Sequence, residues 1–213
     1  MFRSRRRPVV FPQAEHARVA GELALVYGNE RVPPPPLPRG PFVTGVALHD
    51  RGYGQLDADG IGEVPAERWV AIQRASFTPR GQDAVVDLVI ALHVRRLLDL
   101  SPDPRAAAAA AELDATLPGL REAAGVSAVT AAEADLVTNL CDRVAFDLCV
   151  EEPASGEVGG IRYAVDGSGG VTLDPWPLGV PRLDALLVGF EADGYPARLE
   201  PVPVPFSVKP GSR

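Results

Sequence analysis

Four consecutive prolines, Pro33 to Pro36, place the hardest limit on how this chain folds. Each lacks an amide donor and holds φ at about −65°, so neither a helix nor a central strand can run through "ERVPPPPLPRGP" (Glu30 to Pro41). The segment reads as a stiff extended loop rather than a ligand for a proline-reading module. Whatever precedes it must be an element of its own. There, "QAEHARVAGELALVYGN" repeats Val19, Ala20, Leu23, Val26 and Tyr27 at helical spacing and stops near Gly28 and Asn29. His16 lies three residues before Val19, on the same apolar face. A short extended start, "RPVVF", leads into this helix through Pro12.

Beyond the prolines, "FVTGVALHD" reads as a mostly buried helix broken by the glycine-rich "RGYGQLDADGIGEV". His49 and Asp50 therefore stand near a helix end, at the mouth of a loop. Neighbours on a helix diverge by about 100°, so both can serve one cluster only if it lies between their directions or the helix is ending there, and the glycines after them point to that ending. A further helix follows Pro65 in "AERWVAIQRAS". Residues 82 to 100 make the longest apolar-faced helix, with His93 well inside it and facing the interior or close to it. Asp103 is the expected cap of an alanine-rich helix with Pro104 at its first position. "TAAEADLVTNLCDRVAFDLCV" opens on Thr130 and Glu133, the spacing of a capping box, and carries Asp142.

From Gly156 the texture changes to short β-prone runs around the hairpin signal "DGSGG". The expected architecture is mainly α. A helical core over residues 1–153 carries a small β-rich appendage, 154–213, and the two form a single compact unit.

The net charge of −7 argues against a nucleic-acid partner, and the basic run "RSRRR" (Arg3 to Arg7) reads as a solvated edge. No apolar stretch approaches the roughly 20 residues of a membrane span, and the first residues lack the apolar core of a signal peptide. The expected setting is cytoplasmic, with a small molecule rather than a membrane as partner. Cys141 and Cys149 stand eight residues apart on one helix, about two turns, too far for a disulfide, and read as buried small apolar residues.

The chain has three histidines, His16, His49 and His93, each on a different predicted helix, and Asp142 lies on a fourth. Facing helices that converge imidazoles and carboxylates are what a bundle-interior metal site is built from. The order His16, then His49-Asp50, then Asp142 resembles the HD-domain superfamily of metal-dependent phosphohydrolases. More closely, "QAEHARVAGELALVYGN", "ALHDRGYGQLD", "IALHVRRLL", "LCDRVAFDLC" and "LDPWPL" together resemble a bacterial family of unknown function, number 3891 among such domains. The resemblance covers most of the chain, including the segment around Trp176.

It implies an HD-domain-like helical bundle in which His16, His49, Asp50 and Asp142 ligate a divalent metal: iron, manganese or zinc, as one ion or two. His93 is the histidine available to a second ion. "RGYG" follows the pair where phosphohydrolases carry a phosphate-contacting lysine, so Arg51, Arg95 or Arg96 supplies positive charge instead. The implied activity is metal-assisted hydrolysis of a phosphoester-type small molecule, with Asp50 and Arg51 as catalytic residues and Asp50 bridging or orienting. Two alternatives stay open: a di-iron oxygenase-like enzyme of the same superfamily, and a non-catalytic helical binding or regulatory module. Around the cluster, Asp147 is expected at the surface or a cap, Tyr53 as a half-buried loop anchor, Trp176 packing the β tail, and Glu15 in solvent.

Overall fold

The structure, a computed structural model, describes residues 1–81 and 83–211. Gln82, where the sequence reading starts its longest helix, and Ser212 and Arg213 of the C-terminal segment lie outside the described residues. The helices are α1 (Gln13–Val26), α2 (Arg39–Ala47), α3 (Ala66–Phe77), α4 (Ala84–Asp99), α5 (Pro104–Ala124) and α6 (Ala128–Val150), with a one-turn 3-10 helix at Arg51–Tyr53. The strands are β1 (Phe2–Arg3), β2 (Val9–Phe11), β3 (Pro153–Val158), β4 (Ile161–Asp166), β5 (Gly170–Asp174), β6 (Leu183–Glu191) and β7 (Pro201–Pro210).

Helix starts follow side-chain chemistry. Asp83 accepts from the amides of Val85 and Val86 to open α4, and Asp103 accepts from Arg105 to open α5 ahead of Pro104. Helix α6 begins earlier than the Thr130–Glu133 spacing suggests. Its cap is Ser127, whose hydroxyl accepts from the Thr130 amide at 3.1 Å, which places Thr130 inside the first turn.

The mainly α bundle with a small C-terminal β appendage is not the fold. All seven strands form one curled mixed sheet, half a barrel, in the order β1-β2-β6-β7-β5-β4-β3. The N-terminal strands supply one edge, with Val9 opposite Glu191 and Val10 opposite Phe190. Two- and three-residue strands are too short to show an alternation, and β6, the partner that joins them to the sheet through β2, lies about 180 residues away, so nothing local announces the pairing. The second reason is β7, where prolines at 201, 203 and 205 argue against a central strand. They are tolerated by register. The amide of Ser207, at the same parity, points away from β6 to the carbonyl of Gly169, so the prolines face the side that β5, ending its pairing at Gly170, does not reach.

One apolar core joins helices and sheet: Val19 and Leu23 of α1, Val144 and Leu148 of α6, and Val165, Leu187, Phe206 and Val208 of the strands. A second core, with Val70, Leu88, Ile90, Ala109 and Leu113, binds α3, α4 and α5 together. Polar contacts fasten the N-terminal strands to the helices. Glu151, buried and left-handed at φ 58°, ends α6 and accepts from Ser4 and from Arg7 Nε at 3.0 Å. The basic run is thus partly structural. Glu15, expected in solvent, pairs with Arg18 and accepts from the Val188 amide at 2.7 Å, tying α1 to β6. Among the described residues no helix is long and apolar enough to cross a membrane.

Helices α1 and α2 cross in direct contact at Gly21, where an added Cβ would stand 2.6 Å from Cβ of Ala47. That crossing sets His16 against His49. Gly21→Val should therefore lower unfolding free energy by about 2 kcal/mol, as overpacking of a tight contact does, measured by urea denaturation. Unchanged stability would mean that the crossing relaxes freely.

Candidate metal centre

The local folding around each histidine decides where it points. His16 lies in the first turn of α1, its amide donating to the carbonyl of Pro12, and the ring of Phe2 on β1 packs on it at 4.8 Å between centroids. Helix α2 stops at Ala47, earlier than the glycines suggest, so His49 and Asp50 lie off the helix and escape the divergence that helical neighbours would suffer. His49 Nδ1 bonds the carbonyl of Val46 at 2.7 Å, which turns Nε2 inward. Gly52 follows because the 3-10 turn rests on α3: an added Cβ would collide with the Ile72 carbonyl and Ser76.

The five expected ligands converge from α1, the turn after α2, α4 and α6. His16 Nε2 is 3.0 Å from His49 Nε2, 3.0 Å from Asp142 Oδ1 and 3.8 Å from Asp50 Oδ2. His49 Nε2 is 3.5 Å from Asp50 and 3.6 Å from Asp142. His93 closes the ring, with Nε2 3.5 Å from Asp50 Oδ1 and Nδ1 3.6 Å from Asp142 Oδ2. Two groupings could each hold an ion: His16, His49 and Asp142; and His49, Asp50 and His93. All three imidazoles are fully buried.

Burial opposes charge on His49, Asp50, His93 and Asp142, and mutual attraction overrides it at three of them. Burial pulls the His49 imidazolium down, but Asp50 and then Asp142 outweigh it and hold the pKa up at about 9. Burial pushes the Asp50 carboxyl up, and His49 with His93 bring it well below the usual range. Asp142 behaves alike, burial being overcome by His93, His16 and His49. His93 goes the other way. Its pKa is lowered by burial and by the charge of His49.

The donor set suits a divalent transition ion: nitrogen and carboxylate oxygen from separate elements, in contact without an intervening side chain, with His93 Nε2 buried and unpartnered. The cluster opens on one side into a cavity of about 440 Å³, which His16, Asp50, His93 and Asp142 line together with Tyr53 and Arg96.

The three candidate arginines separate. Arg96 lines the cavity, with Nη2 3.3 Å from His93 Nδ1 and Nη1 3.6 Å from Asp142 Oδ2. Arg95, about 100° round the helix, pairs with Asp99 and Asp114 on the outside. Arg51 turns away from the cluster: its buried guanidinium donates to the carbonyls of Ser76 and Thr78 and to Asp87 at 2.9 Å. Sequence reading also passed over Gln13, Asn139, Arg143 and Phe146, which share the cavity. The signal was there for α6, because 139, 142, 143 and 146 form one helical stripe around Asp142.

A family model described as Protein of unknown function (DUF3891) matches residues 3–185. No curated protein and no solved structure matches the chain.

Two predictions follow from this geometry. A raised imidazole pKa contributes stability fully present below about pH 6.5 and lost as pH rises through about 9. Metal-free protein should therefore show a falling Tm between pH 6.5 and 9.5. His49→Gln should flatten that fall, and an equally steep fall in the variant would assign it elsewhere. Arg51→Ala breaks a buried pair and should cost about 3 kcal/mol in denaturant unfolding, with the response to added manganese the same as in the parent protein. A changed manganese response with unchanged stability would reverse that assignment.

Proposed function

This chain belongs to the DUF3891 family, and we propose that it is a metal-dependent hydrolase of a phosphoester-type small molecule. The observation that carries the reading is that a buried His/Asp cluster opens into a cavity and has an arginine at its edge. A structural ion is normally enclosed by its ligands, whereas a catalytic one faces a space that a substrate can enter. The ligand order, a histidine, a His-Asp pair and a later aspartate, is that of the HD-domain phosphohydrolases, and this likeness supports the same class of chemistry.

His16, His49, Asp50 and Asp142 would hold iron, manganese or zinc. The chemistry a divalent ion supplies in such a site is a more acidic water and a polarised phosphoryl oxygen. The protein's own groups do the rest. Asp50 orients the attacking water and takes its proton as the water oxygen bonds to phosphorus. The phosphorus–oxygen bond of the ester breaks, and that proton ends on the departing alcohol oxygen, so water is the one co-reactant. Arg96, bidentate and permanently charged, faces the phosphoryl oxygens. Tyr53 and Phe2 line the same cavity.

A second reading is an oxygen-activating enzyme with two irons, favoured by the second grouping, His49, Asp50 and His93. Elemental analysis separates the two. Protein purified without added metal should carry about one equivalent of manganese, zinc or iron, and two irons would move the assignment to oxygen chemistry. The His49→Ala, Asp50→Ala double variant should lose the metal and keep its helical circular dichroism; stoichiometric metal in that variant would refute the site. Arg96→Ala should keep the metal and lose roughly tenfold to a hundredfold in kcat/KM on p-nitrophenyl phosphate, the worth of a hydrogen bond to a charged group.

A further inference from the structure

We propose that the substrate joins its anionic reacting group to an apolar body, an alkyl or aryl chain, rather than to a sugar or nucleoside; this deepens the hydrolase reading and rests on it. Helix α4 carries the argument. His93, Arg96, Leu97 and Leu100 follow one another at i, i+3, i+4 and i+7, a single stripe along the cavity wall. Read outward from the cluster, the stripe is a ligand, a cation, then two leucines. At 1.5 Å per residue, Leu97 and Leu100 stand about 6 and about 10 Å along the axis from His93. That leaves space beside the ligands for one tetrahedral anion before the wall turns apolar.

The other elements repeat the gradient. Phe146 lies one turn beyond Asp142 on α6, Trp69 faces in from α3, and Ile61 and Val64 come from the loop before it. Two of these apolar groups have no packing role in the fold. Leu100 is 75 % exposed and Ile61 49 % exposed, yet both border the same opening. The polar groups are few or already paired: Gln13 Oε1 is buried without a hydrogen-bond partner, Asn139 and Arg143 flank Asp142 on α6, and Asp59, on the loop of Ile61, pairs with Arg68 at 2.9 Å. A phosphorylated sugar would press its hydroxyls against Leu97, Leu100, Ile61 and Trp69 and lose water without gaining partners. An alkyl or aryl body fits the same wall with a hydrophobic gain, in a cavity of about 440 Å³, within the range of small-ligand pockets.

The test is calorimetric titration of the manganese-loaded protein with methyl-, butyl- and hexylphosphonate and with ribose 5-phosphate. Affinity should rise roughly fiftyfold from methyl- to butylphosphonate, about fourfold for each methylene buried, and ribose 5-phosphate should bind no better than methylphosphonate. An Ile61→Asn, Leu100→Asn variant, changed at exposed positions, should lose most of that gain while still binding methylphosphonate. Phosphonates that bind with no dependence on chain length, or a preference for ribose 5-phosphate, would overturn the apolar body and leave the phosphoester reading standing. Failure of every phosphonate and of ribose 5-phosphate to bind the metal-loaded protein would overturn both.

Discussion

Asp50 and Asp142 are two carboxylates held in one buried space, and everything else in the molecule answers to that. Like charges withdrawn from water repel strongly, so positive charge must lie between them. His49 fills that role as an imidazolium up to about pH 9, with Arg96 behind Asp142. The same arrangement presents inward-turned ring nitrogens and carboxylate oxygens to a cation. An ion entering the cluster would have to displace the proton held there, so proton and ion would compete for one place.

The scaffold serves to hold four chain segments at this point. The sheet takes part through β1, whose Phe2 covers the His16 ring and meets Phe146 edge-on. Behind the His49-Asp50 turn, Arg51 threads the guanidinium between α3 and Asp87, and Asp87 also accepts from the amides of Arg80 and Gly81. The turn is thus anchored on its far side by ionic and backbone bonds and left bare on its near side. A rigid back and an open face is the arrangement that preorganised sites require.

Much of the helical part was legible because its signals are local. The apolar repeat of α1, Asp103 before Pro104, and the break at the four prolines each follow from a few neighbouring residues. The convergence of His16, His49, His93 and Asp142 was legible too, from their separation onto different apolar faces. The sheet was not. The two strands at its β1 edge are two and three residues long, β7 carries prolines that disguise a paired strand, and the register that reconciles them is a property of β5 and β6. Arg51 and Arg96 look equivalent in sequence, and only the tertiary position of α3 and Asp87 separates them.

The pairing of β2 with β6 also has a kinetic meaning. Helix α1 begins two residues after β2 ends, so the strand that steers His16 into place pairs with residues some 180 positions later in the chain. During synthesis, α2 and α4 can pack and hold the His49-Asp50 turn well before β6 exists. His16 gains its final support only when the last quarter of the chain has emerged. The cluster is therefore completed late, and a chain released or cleaved before residue 183 would keep its helices while lacking β6, the partner of the strand that leads into His16.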